Sequence, residues 1–500
     1  MSKNKKNLTL EEASLQKIIS HAKEYGFVFP SSDIYDGLQA VYDYGQNGVE
    51  LKNNLKEAWW KAMTMLHDNV VGIDAAIFMH PTVWKASGHV DSFNDPMVDN
   101  KDSKKRYRVD HLFEAKAAAY SEEGKEDEAQ ALIARMNQLL TDENLEGLRQ
   151  LLIEEGIVCP IAKTNNWTEV RQFNLMFATQ IGSVAEESNT VYLRPETAQG
   201  IFTNFQNVQQ TSRQKVPFGI AQIGKAFRNE IVARQFIFRM REFEQMEMQF
   251  FVRPGTQKEW FEYWKEKRYQ FLLALGLPKE KLRFHEHEKP AHYADAAFDI
   301  EYDFPFGFRE LEGIHSRTDF DLKQHQAYVK KNLNYFDQEV EEKDKQRYLP
   351  YVVETSIGAD RLFLAILSNA YTEDYGVDAK GNEKVRTYLK IHPAIAPVKV
   401  AVLPLLRKQN LPTKAKEVFE MLRYDMATIY EERGAIGKNY TRMDMIGVPF
   451  CITVDHQTLE DETVTLRHRD TTTQERVAIT DLHSKLSEAV SMKRIFEKLI

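Results

Sequence analysis

The clearest alternation of apolar and polar residues lies in the segment FRNEIVARQFIFRMREFEQMEMQFF, residues 227–251. From residue 236 on, one parity is apolar and holds Phe236, Phe238, Met240, Met246, Met248 and Phe250, with Glu242 and Glu244 as exceptions. The other parity holds Arg239, Arg241, Phe243, Gln245, Glu247 and Gln249. A period of two predicts a β-strand with one face on a core. The polar face is either an exposed surface with cross-strand ion pairs or a binding surface.

Helical periodicity predicts amphipathic helices at residues 51–66 and 258–275, where apolar residues recur every three or four positions. Two polar segments with the same periodicity, residues 111–156 and 321–350, are predicted to be helical insertions. Strand patterns cover residues 70–81, 191–202, 218–227 and 296–304. Residues 351–367 predict a strand, a glycine turn and an apolar helix.

The order of these elements predicts two domains of different class. Strands joined by turns and long excursions, rather than by single helices, predict a largely antiparallel sheet in an α+β domain over residues 1–375. Residues 376–391, which are polar and contain glycine, are predicted to be a linker. Strand and helix then alternate over residues 392–500, which is typical of a compact α/β domain. In that domain the strand at residues 463–471, TVTLRHRDT, is predicted to be exposed.

Composition narrows the class of protein further. No stretch of about eighteen apolar residues is present, so no membrane span is predicted. The short basic tail at the N-terminus lacks the apolar region of a secretion signal. Cys159 and Cys451 are the only cysteines, which predicts a reducing cytoplasm rather than a disulfide framework. The net charge of −8 argues against a nucleic-acid partner, but residues 391–500 carry sixteen basic and fifteen acidic side chains and repel phosphate least.

Three charged segments in a fixed order carry a family resemblance. They are RPETAQGIF (194–202), the arginine-rich segment 227–251 and ETSIGADRLFLAIL (354–367). Together they resemble the class II aminoacyl-tRNA synthetases, and within these the homodimeric glycyl-tRNA synthetases, with the second and third segments similar to motifs 2 and 3. Further similar blocks are the motif 1 region at 27–60, SGHVDSFNDPMV at 87–98, YRVDHL at 107–112, GIHSRTDFDL at 313–322, and 436–455 with 464–471 in the anticodon-binding domain.

The resemblance implies attack of a glycine carboxylate on the α-phosphate of ATP, release of pyrophosphate, and glycyl transfer to the 3′ end of a tRNA. Charge builds on phosphate oxygens during such a step, so fixed guanidiniums and a divalent metal stabilise it. Catalytic roles are implied for Arg228, at the α-phosphate, and Arg361, at the γ-phosphate. Phe243 would stack on the adenine, and Glu230 would accept its amino group. The implied ATP-binding residues are Arg228, Asn229, Glu230, Phe238, Arg239, Met240, Arg241, Glu242, Phe243, Glu310, Leu311, Gly358, Ala359, Asp360 and Arg361.

Glycine offers an ammonium and a carboxylate but no side chain. Glu196, Glu247 and Ser356 match family positions around the amino end, and Arg108 and Arg317 are candidates for the carboxylate. The implied glycine-binding residues are Arg108, Glu196, Phe243, Glu244, Gln245, Met246, Glu247, Arg317, Glu354, Thr355, Ser356, Ile357 and Gly358.

The resemblance also implies a Mg²⁺ ion held by Glu310 and, less directly, by Glu354, because this ion prefers a few carboxylates and phosphate oxygens. Many relatives carry a cysteine-rich zinc knuckle where this chain has Cys159 alone, so no zinc is expected. The chain departs from the family pattern at Gln46 and Thr355, where a proline is usual, and at Glu312, where a tryptophan is usual.

Implied partners are ATP, glycine, the tRNA for glycine and a second copy of the chain, with the motif 1 region building the dimer interface and no membrane. In the anticodon-binding domain, Arg442, Arg467 and Arg469 either contact the anticodon or lie on a solvated sheet face.

Two other functions stay open. A class II synthetase for threonine, serine, proline or histidine would share motifs 2 and 3, although RPETAQGIF and FEQMEMQFF favour glycine. A non-catalytic binding module, like the accessory subunit of the mitochondrial DNA polymerase, would lack the catalytic set. The presence of Arg228, Glu230, Phe243 and Arg361 argues for activity.

Overall fold

The structure is a computed structural model that describes residues 10–182, 190–230, 235–287, 294–377 and 383–499. The basic N-terminal tail, residues 231–234 of the arginine-rich segment and residues 378–382 of the predicted linker lie outside these ranges. The chain forms two compact units. The first comprises Met1–Ala76, Glu196–Ala226 and Gln235–Ile500, and the second comprises Ile77–Pro195 and Phe227–Arg234.

In chain order, the helices are α1 Leu10–Glu24, α2 Gln46–Thr64, α3 Pro81–Ala86, α4 His89–Ser92, α5 Val109–Glu122, α6 Glu126–Thr141, α7 Leu145–Glu154, α8 Ala198–Thr203, α9 Phe205–Ser212, α10 Gln257–Ala274, α11 Phe320–Val329, α12 Ala359–Ala370, α13 Leu411–Leu422, α14 Ile436–Met445, α15 Thr458–Asp461, α16 Ile479–Ala489 and α17 Lys493–Phe496. The strands are β1 Val28–Pro30, β2 Tyr42–Tyr44, β3 Val70–Gly72, β4 Asn94–Asn100, β5 Lys105–Arg108, β6 Arg171–Asn174, β7 Ala178–Gln180, β8 Thr190–Tyr192, β9 Phe218–Phe227, β10 Glu242–Val252, β11 Leu282–Glu286, β12 Ala296–Phe304, β13 Gly307–Thr318, β14 Tyr335–Phe336, β15 Arg347–Tyr348, β16 Tyr351–Gly358, β17 Tyr371–Val377, β18 Glu383–Leu389, β19 Val400–Pro404, β20 Thr428–Tyr430, β21 Phe450–Val454, β22 Thr463–His468 and β23 Gln474–Ala478.

The first unit is built on a sheet in the order β11-β12-β13-β16-β10-β9-β3. Strands β11, β12, β13, β16 and β10 pair antiparallel, and β3 pairs parallel with β9. Met246, Met248 and Phe250 of β10 pack in one core with α2, α10 and α12. The opposite parity of β10 therefore points to the other face of the sheet. The α+β class with a largely antiparallel sheet is confirmed.

A second sheet in the first unit has the order β20-β19-β21-β22-β23. Its first three strands are parallel, and β21, β22 and β23 pair antiparallel. Residues of α13 and α16 pack in one core with this sheet, and residues of α14 pack in another. This is the α/β domain predicted for the C-terminal part of the chain. The second unit combines a β5-β4-β6 sheet with helices α5, α6 and α7, which share a core.

The structure corrects the arginine-rich segment in one respect. Strand β10 begins only at Glu242, because Phe236–Phe238 form a 3₁₀ turn entered through the positive φ angles of Gln235 (69°) and Phe236 (59°). The apolar side chains of this turn still enter the core, which is why alternation appeared to continue through it.

Other predicted strands are shorter in the structure. Only Val70–Gly72 of residues 70–81 form a strand, and residues 191–202 contain the end of β8 followed by helix α8. Strand β3 ends at Gly72, well before Pro81, which begins α3, and β8 ends at Tyr192, before Pro195.

The segments on either side of β16 also differ from the prediction. Of residues 321–350, the part up to Val329 is α-helical, and a short β14–β15 hairpin with a 3₁₀ turn at Lys343–Lys345 follows. Within the segment predicted to be a linker, Glu383–Leu389 form β18, which pairs antiparallel with β17. No helix among the described residues is long and apolar enough to cross a membrane.

Candidate active site

One face of the large sheet collects polar side chains because three neighbouring strands are in register. Glu247 of β10 lies opposite Ser356 of β16, and Gln249 lies opposite Glu354. On the other side of β16, Ser356 faces Gly313 and Glu354 faces His315 of β13. Paired residues in a sheet point to the same face. The strands therefore place two carboxylates, a hydroxyl and an imidazole together.

Glu247 is the most deeply enclosed carboxylate of this face, with 2% of its surface exposed. Its Oε2 accepts a hydrogen bond from Thr197 Oγ1, and its Oε1 accepts one from Gln249 Nε2 at 3.1 Å. Burial, together with the negative charges of Glu354 and Glu196, raises the pKa of Glu247 well above its ordinary value. The positive charges around Glu247 are therefore too few to balance the carboxylates beside it.

Glu354 lies in the opposite electrostatic environment. It is hydrogen-bonded to His315 Nδ1 at 2.9 Å, Arg317 Nη1 at 2.9 Å and Gln249 Nε2 at 2.7 Å. Burial acts to raise the pKa of Glu354, but Arg317 and His315 outweigh it and hold this pKa well below the ordinary value. Both carboxylate oxygens serve the network, which argues against Glu354 as a metal ligand.

Arg317 connects this hydrogen-bond network to further polar side chains. Its Nε and Nη2 donate to Asp321 at 2.8 and 3.1 Å. Gln199 of α8 donates to Asp321 at 3.1 Å and to Glu196 at 3.0 Å. The guanidinium of Arg317 is therefore occupied by carboxylates, which favours a role in charge balance over direct binding of the glycine carboxylate. Among the described residues, four acidic side chains meet one arginine and one histidine here, namely Glu196, Glu247, Asp321 and Glu354 with Arg317 and His315. Burial acts to lower the pKa of His315, but Glu354 outweighs it and raises this pKa. The carboxylates still outnumber the cationic side chains, which favours a small cationic ligand.

A second group of predicted residues lies around the start of α12. Arg361 donates through Nε to the Phe238 carbonyl at 3.3 Å, and its guanidinium lies 4.3 Å from the centre of the Phe238 ring. Its Nη1 is 2.9 Å from Glu310 Oε2. Gly358 caps the helix, and Phe243 shares the parity of Glu247 on β10. An arginine and an acidic side chain thus meet beside an aromatic ring on a partly exposed surface.

Two further arginines of the segment, Arg239 and Arg241, are partly exposed, and Glu242 pairs with Lys225 at 2.7 Å. The backbone N–H of Arg241 donates to the Ala40 carbonyl at 2.9 Å, which fixes the start of β10.

The second unit holds Arg108, Arg228, Asn229 and Glu230. The Nε of Arg228 donates to the Pro195 carbonyl at 3.0 Å, and its guanidinium lies 5.6 Å from the Phe93 ring centre. The Asn229 N–H donates to the Leu175 carbonyl at 2.8 Å.

Arg108 donates to Asp95 at 3.0 Å and to both oxygens of Asp110. Burial acts to lower the pKa of Arg108, but Asp110, Asp95 and Glu230 outweigh it. These carboxylates hold Arg108 in place, and its contact with glycine stays a prediction.

Several side chains named from the resemblance do not reach the polar face. The side chains of Phe238, Met240, Met246, Leu311, Ile357 and Ala359 lie in the hydrophobic core, and Thr355 is fully buried. Met246, Thr355 and Ile357 belong to the other parity of β10 and β16, so only their backbone can contact a ligand on the polar face. Leu311 lies at an irregularity in the β12–β13 pairing, while Phe238, Met240 and Ala359 lie outside the strands.

Glu244 and Asp360 also turn away from the predicted ligands. Glu244 Oε2 and Asp360 Oδ1 both lie 2.7 Å from Lys52 Nζ of α2, on the helix side of the sheet. They are corrected from ligand-binding to internal ion-pairing residues.

Five residues of the site were not predicted to bind a ligand: Thr197, Gln199, Gln249, His315 and Asp321. Gln249 was predicted only as part of the polar strand face. His315 shares the parity of Gly313 on β13, so strand parity was the signal that could have found it.

The three departures from the family pattern have different surroundings. Gln46 starts α2, and its side chain lies so close to Gly26 that a Cβ there would approach it to 2.3 Å. Thr355 points into the core, and its hydroxyl has no hydrogen-bond partner among the described residues, so nothing in the structure explains this departure. Glu312 points away from the polar face and pairs with Arg268 of α10 at 2.5 Å.

Arg467 of β22 and Arg469, which follows this strand, fit neither of the two roles open to them. Arg467 is buried and makes a bidentate pair with Asp444 at 2.8 and 2.9 Å. Arg469 is also buried, and it donates to the carbonyls of Gly447 and Ile391 at 2.7 and 2.8 Å. The strand predicted to be exposed therefore carries structural arginines, and only Arg442 remains at the surface.

Among the residues that the structure describes, no group of three or more histidine, cysteine or acidic side chains could hold a metal ion. An ion bound by one carboxylate together with substrate phosphates does not require such a group. The half-exposed Glu310 fits that requirement, and the enclosed Glu354 does not.

Comparison with known proteins places this geometry in context. Residues 177–370 match the tRNA synthetase class II core domain (G, H, P, S and T), and residues 399–489 match an anticodon binding domain. Residues 95–131 and 124–175 match glycyl-tRNA synthetase insertion domain 1. The chain is 55% identical over 481 residues to the glycine–tRNA ligase of Chlorobaculum tepidum, covering 96% of this chain and 100% of the relative. It is 52% identical to that of Staphylococcus saprophyticus (95% and 99% covered) and 48% identical to that of Treponema denticola (95% and 97% covered).

Proposed function

This chain belongs to the glycine–tRNA ligase family of class II aminoacyl-tRNA synthetases, and we propose how its side chains divide the substrates among them. The enzyme activates glycine with ATP to glycyl adenylate, releases pyrophosphate and transfers the glycyl group to the 3′ end of its tRNA. The observation that best supports the assignment of sites is the surplus of carboxylates around Glu247, because a glycine ammonium would supply the missing positive charge.

The glycine ammonium is assigned to Glu247 and Glu196, with Ser356 beside them. Thr197 and Gln249 hold Glu247 in place through hydrogen bonds to its two oxygens. Arg317 keeps Glu354 and Asp321 neutralised, so those two carboxylates do not compete for the ammonium.

The nucleotide is assigned to the arginines and to Phe243. Arg228 binds the α-phosphate, Arg361 binds the γ-phosphate, and the Phe243 ring stacks on the adenine. Fixed guanidiniums stabilise the charge that develops on the phosphate oxygens. A Mg²⁺ ion would supply further charge neutralisation between the phosphates, and Glu310 is the carboxylate placed to hold it.

The anticodon is assigned to exposed basic residues at one edge of the C-terminal sheet. The parallel strands β19 and β20 end there, and the carboxyl ends of parallel strands are the usual ligand edge of an α/β sheet. The exposed basic residues after these strands and on α14 are Arg407, Lys408, Arg433, Lys438 and Arg442. A loss of tRNA charging without a loss of glycine activation in variants at these positions tests the assignment.

We further propose a homodimer and a cytoplasmic location. The turn between β1 and β2, in the motif 1 region, exposes Ile34, Tyr35 and Leu38, and such apolar patches mark protein interfaces. Both cysteines are free thiols, which fits a reducing compartment. The molar mass in solution tests the dimer.

The first prediction concerns the substrate itself. Glycine is expected to support ATP–pyrophosphate exchange, and alanine is expected to support it at least about tenfold less, since one added methyl group is worth roughly 1–3 kcal/mol in a fitted pocket. The measurement compares each of the twenty amino acids without tRNA. Exchange with another amino acid would mean that the pocket is wrongly assigned. Silence with all twenty, with and without tRNA, would favour a binding module.

The second prediction concerns the pH dependence of glycine binding. The raised pKa of Glu247 means that a proton competes with the glycine ammonium for this carboxylate. The KM for glycine is therefore expected to rise as pH falls, by up to about tenfold per pH unit below the pKa of Glu247, because binding releases one proton. The variant Glu247→Gln should raise the KM and abolish its pH dependence.

The matched control is Glu301→Gln, a carboxylate of the same sheet that is paired with Arg283 at 2.6 Å. It should keep the wild-type pH profile. A KM for glycine that does not change with pH in the wild type would contradict the role of Glu247.

A further inference from the structure

A buried cluster of charges lies on the helix side of the large sheet, behind the proposed nucleotide site. At its centre is Lys52 of α2, with only 6% of its surface exposed. Its Nζ lies 2.7 Å from Asp360 Oδ1 and 2.7 Å from Glu244 Oε2. Burial acts to lower the pKa of the Lys52 ammonium, but Asp360 and Glu244 outweigh it and raise this pKa. A lysine so deeply enclosed is retained only with paired charges.

The cluster joins three elements that are far apart in sequence. Asp360 Oδ1 also accepts a hydrogen bond from Tyr44 Oη at 2.5 Å, and its Oδ2 accepts one from the Glu244 backbone N–H at 2.8 Å. The Lys52 ammonium lies 4.1 Å from the centre of the Tyr44 ring. Asp360 is in the first turn of α12, Glu244 is near the start of β10, and Lys52 and Tyr44 belong to the motif 1 region. One ammonium therefore fixes the start of β10 against the start of α12.

The residues next to these carboxylates are the proposed nucleotide contacts. Phe243 precedes Glu244 on β10, and Arg361 follows Asp360 in α12. Adjacent residues in a strand point to opposite faces, so Glu244 is held behind the sheet while Phe243 has the parity of the polar face. The partly buried Phe243 ring also packs against the hydrophobic core, which ties its position to that of the elements behind the sheet. The separation of the Phe243 ring from the Arg361 guanidinium thus depends on how Glu244 and Asp360 are held together.

We propose that Lys52 is a positioning residue for ATP, which holds Phe243 and Arg361 at the spacing of the adenine and the γ-phosphate without touching either. The proposal rests on the assignment of those two residues to the nucleotide. Without the Lys52 ammonium, two carboxylates would face each other behind the site, and their repulsion would separate the start of β10 from the start of α12. Small displacements of positioning groups have large effects on a reaction of this kind.

The test is glycine-dependent ATP–pyrophosphate exchange by the full-length enzyme, with the KM for ATP and the KM for glycine determined separately. Lys52→Met is expected to raise the KM for ATP about tenfold and to leave the KM for glycine within about twofold. Lys52→Arg, which keeps the charge, should recover most of the affinity for ATP. The matched control is Lys56→Met, since Lys56 on the same helix contacts only Glu244, at 3.1 Å, and is more exposed. It should change the KM for ATP less than about twofold.

Three results would overturn the proposal: an unchanged KM for ATP in Lys52→Met, a parallel rise of both KM values, or a lower kcat alone, as a loss of folded enzyme would give. The variant Arg361→Met distinguishes a failure of this proposal from a failure of the nucleotide assignment on which it rests. If Arg361→Met leaves the KM for ATP unchanged, the nucleotide assignment fails. If Arg361→Met raises the KM for ATP but Lys52→Met does not, only the positioning role of Lys52 fails. Should Lys52→Met fail to fold, Tyr44→Phe removes one donor to Asp360 and must raise the KM for ATP about threefold; no rise would refute the proposal.

Discussion

Replacing Arg228 with alanine is expected to lower the rate of glycyl adenylate formation by at least about two orders of magnitude, or about 3 kcal/mol, the cost of losing one preorganised donor to developing charge. The expected loss is this large because the α-phosphate is the atom group attacked, so a guanidinium there acts mainly in the transition state. The measurement is ATP–pyrophosphate exchange with glycine, together with single-turnover formation of the adenylate.

The surroundings of Arg228 support a prepositioned side chain. One of its nitrogens is held by the Pro195 carbonyl, and its guanidinium lies against the Phe93 ring. Arg228→Lys should recover little activity, because a lysine ammonium cannot donate to Pro195 and to a phosphate in the same planar arrangement.

Arg171→Ala provides the control for Arg228, since this arginine of the second unit has 82% of its side chain exposed and should leave the rate unchanged. A loss of less than tenfold in Arg228→Ala, in protein with wild-type melting behaviour, would remove Arg228 from the α-phosphate.

The bounds of a strand were predicted best where the alternation of apolar and polar residues agreed with the turn residues that flank the strand. Strands β9 and β12 have the predicted bounds, residues 218–227 and 296–304. The predictions failed where a local turn imitated alternation, as at Phe236–Phe238, or where an apolar run continued beyond the end of a strand, as after Gly72. Short hairpins such as β14–β15 carry too few residues to produce a period at all.

The site could be predicted as a set of segments but not side chain by side chain. A sequence block contains both faces of a strand, so Glu247 and Met246 were named together although only Glu247 lies on the polar face. Long-range pairs were not accessible, because two opposite charges far apart in the chain leave no periodic pattern. Lys52 and Asp360, 308 positions apart, are the clearest example.

The burial of the C-terminal arginines also depends on long-range contacts, so it could not be predicted from the sequence. Arg467 and Arg469 occur in a polar sequence, TVTLRHRDT, that is typical of an exposed strand. Their burial depends on Asp444 and on the carbonyls of Gly447 and Ile391, which come from other segments. Alternation alone therefore cannot distinguish a solvated arginine from one that holds a domain together.

The other large expected effect is a loss of stability, and it concerns Glu312, which stands where the family usually has a tryptophan. Glu312 and Arg268 form an ion pair in the core, 0% and 2% exposed, with the Arg268 guanidinium 4.5 Å from the Phe271 ring centre. Arg268→Met should destabilise the protein by about 3–5 kcal/mol, because it leaves a carboxylate buried without its partner. The melting temperature should fall by at least about 3 °C, since the large unfolding entropy of a chain of this length gives roughly 1 °C per kcal/mol. Removing the exposed Lys215–Glu339 pair with Lys215→Met should cost less than about 1 kcal/mol.

The direction in which the stability of Arg268→Met changes with pH distinguishes an unpaired buried charge from a packing defect. Burial raises the pKa of Glu312, and Arg268 opposes that rise. Without Arg268 the pKa in the folded protein rises further above the unfolded value, so the folded state binds more protons and loses stability as pH increases. The destabilisation by Arg268→Met should therefore be smaller at acidic pH and grow towards neutral pH.

The double variant Arg268→Met/Glu312→Leu should melt near the wild-type temperature at every pH, since apolar side chains of similar volume can replace a buried pair. A double variant as unstable as the single one would show that the pair fixes the packing of α10 on β13 rather than only balancing its own charge.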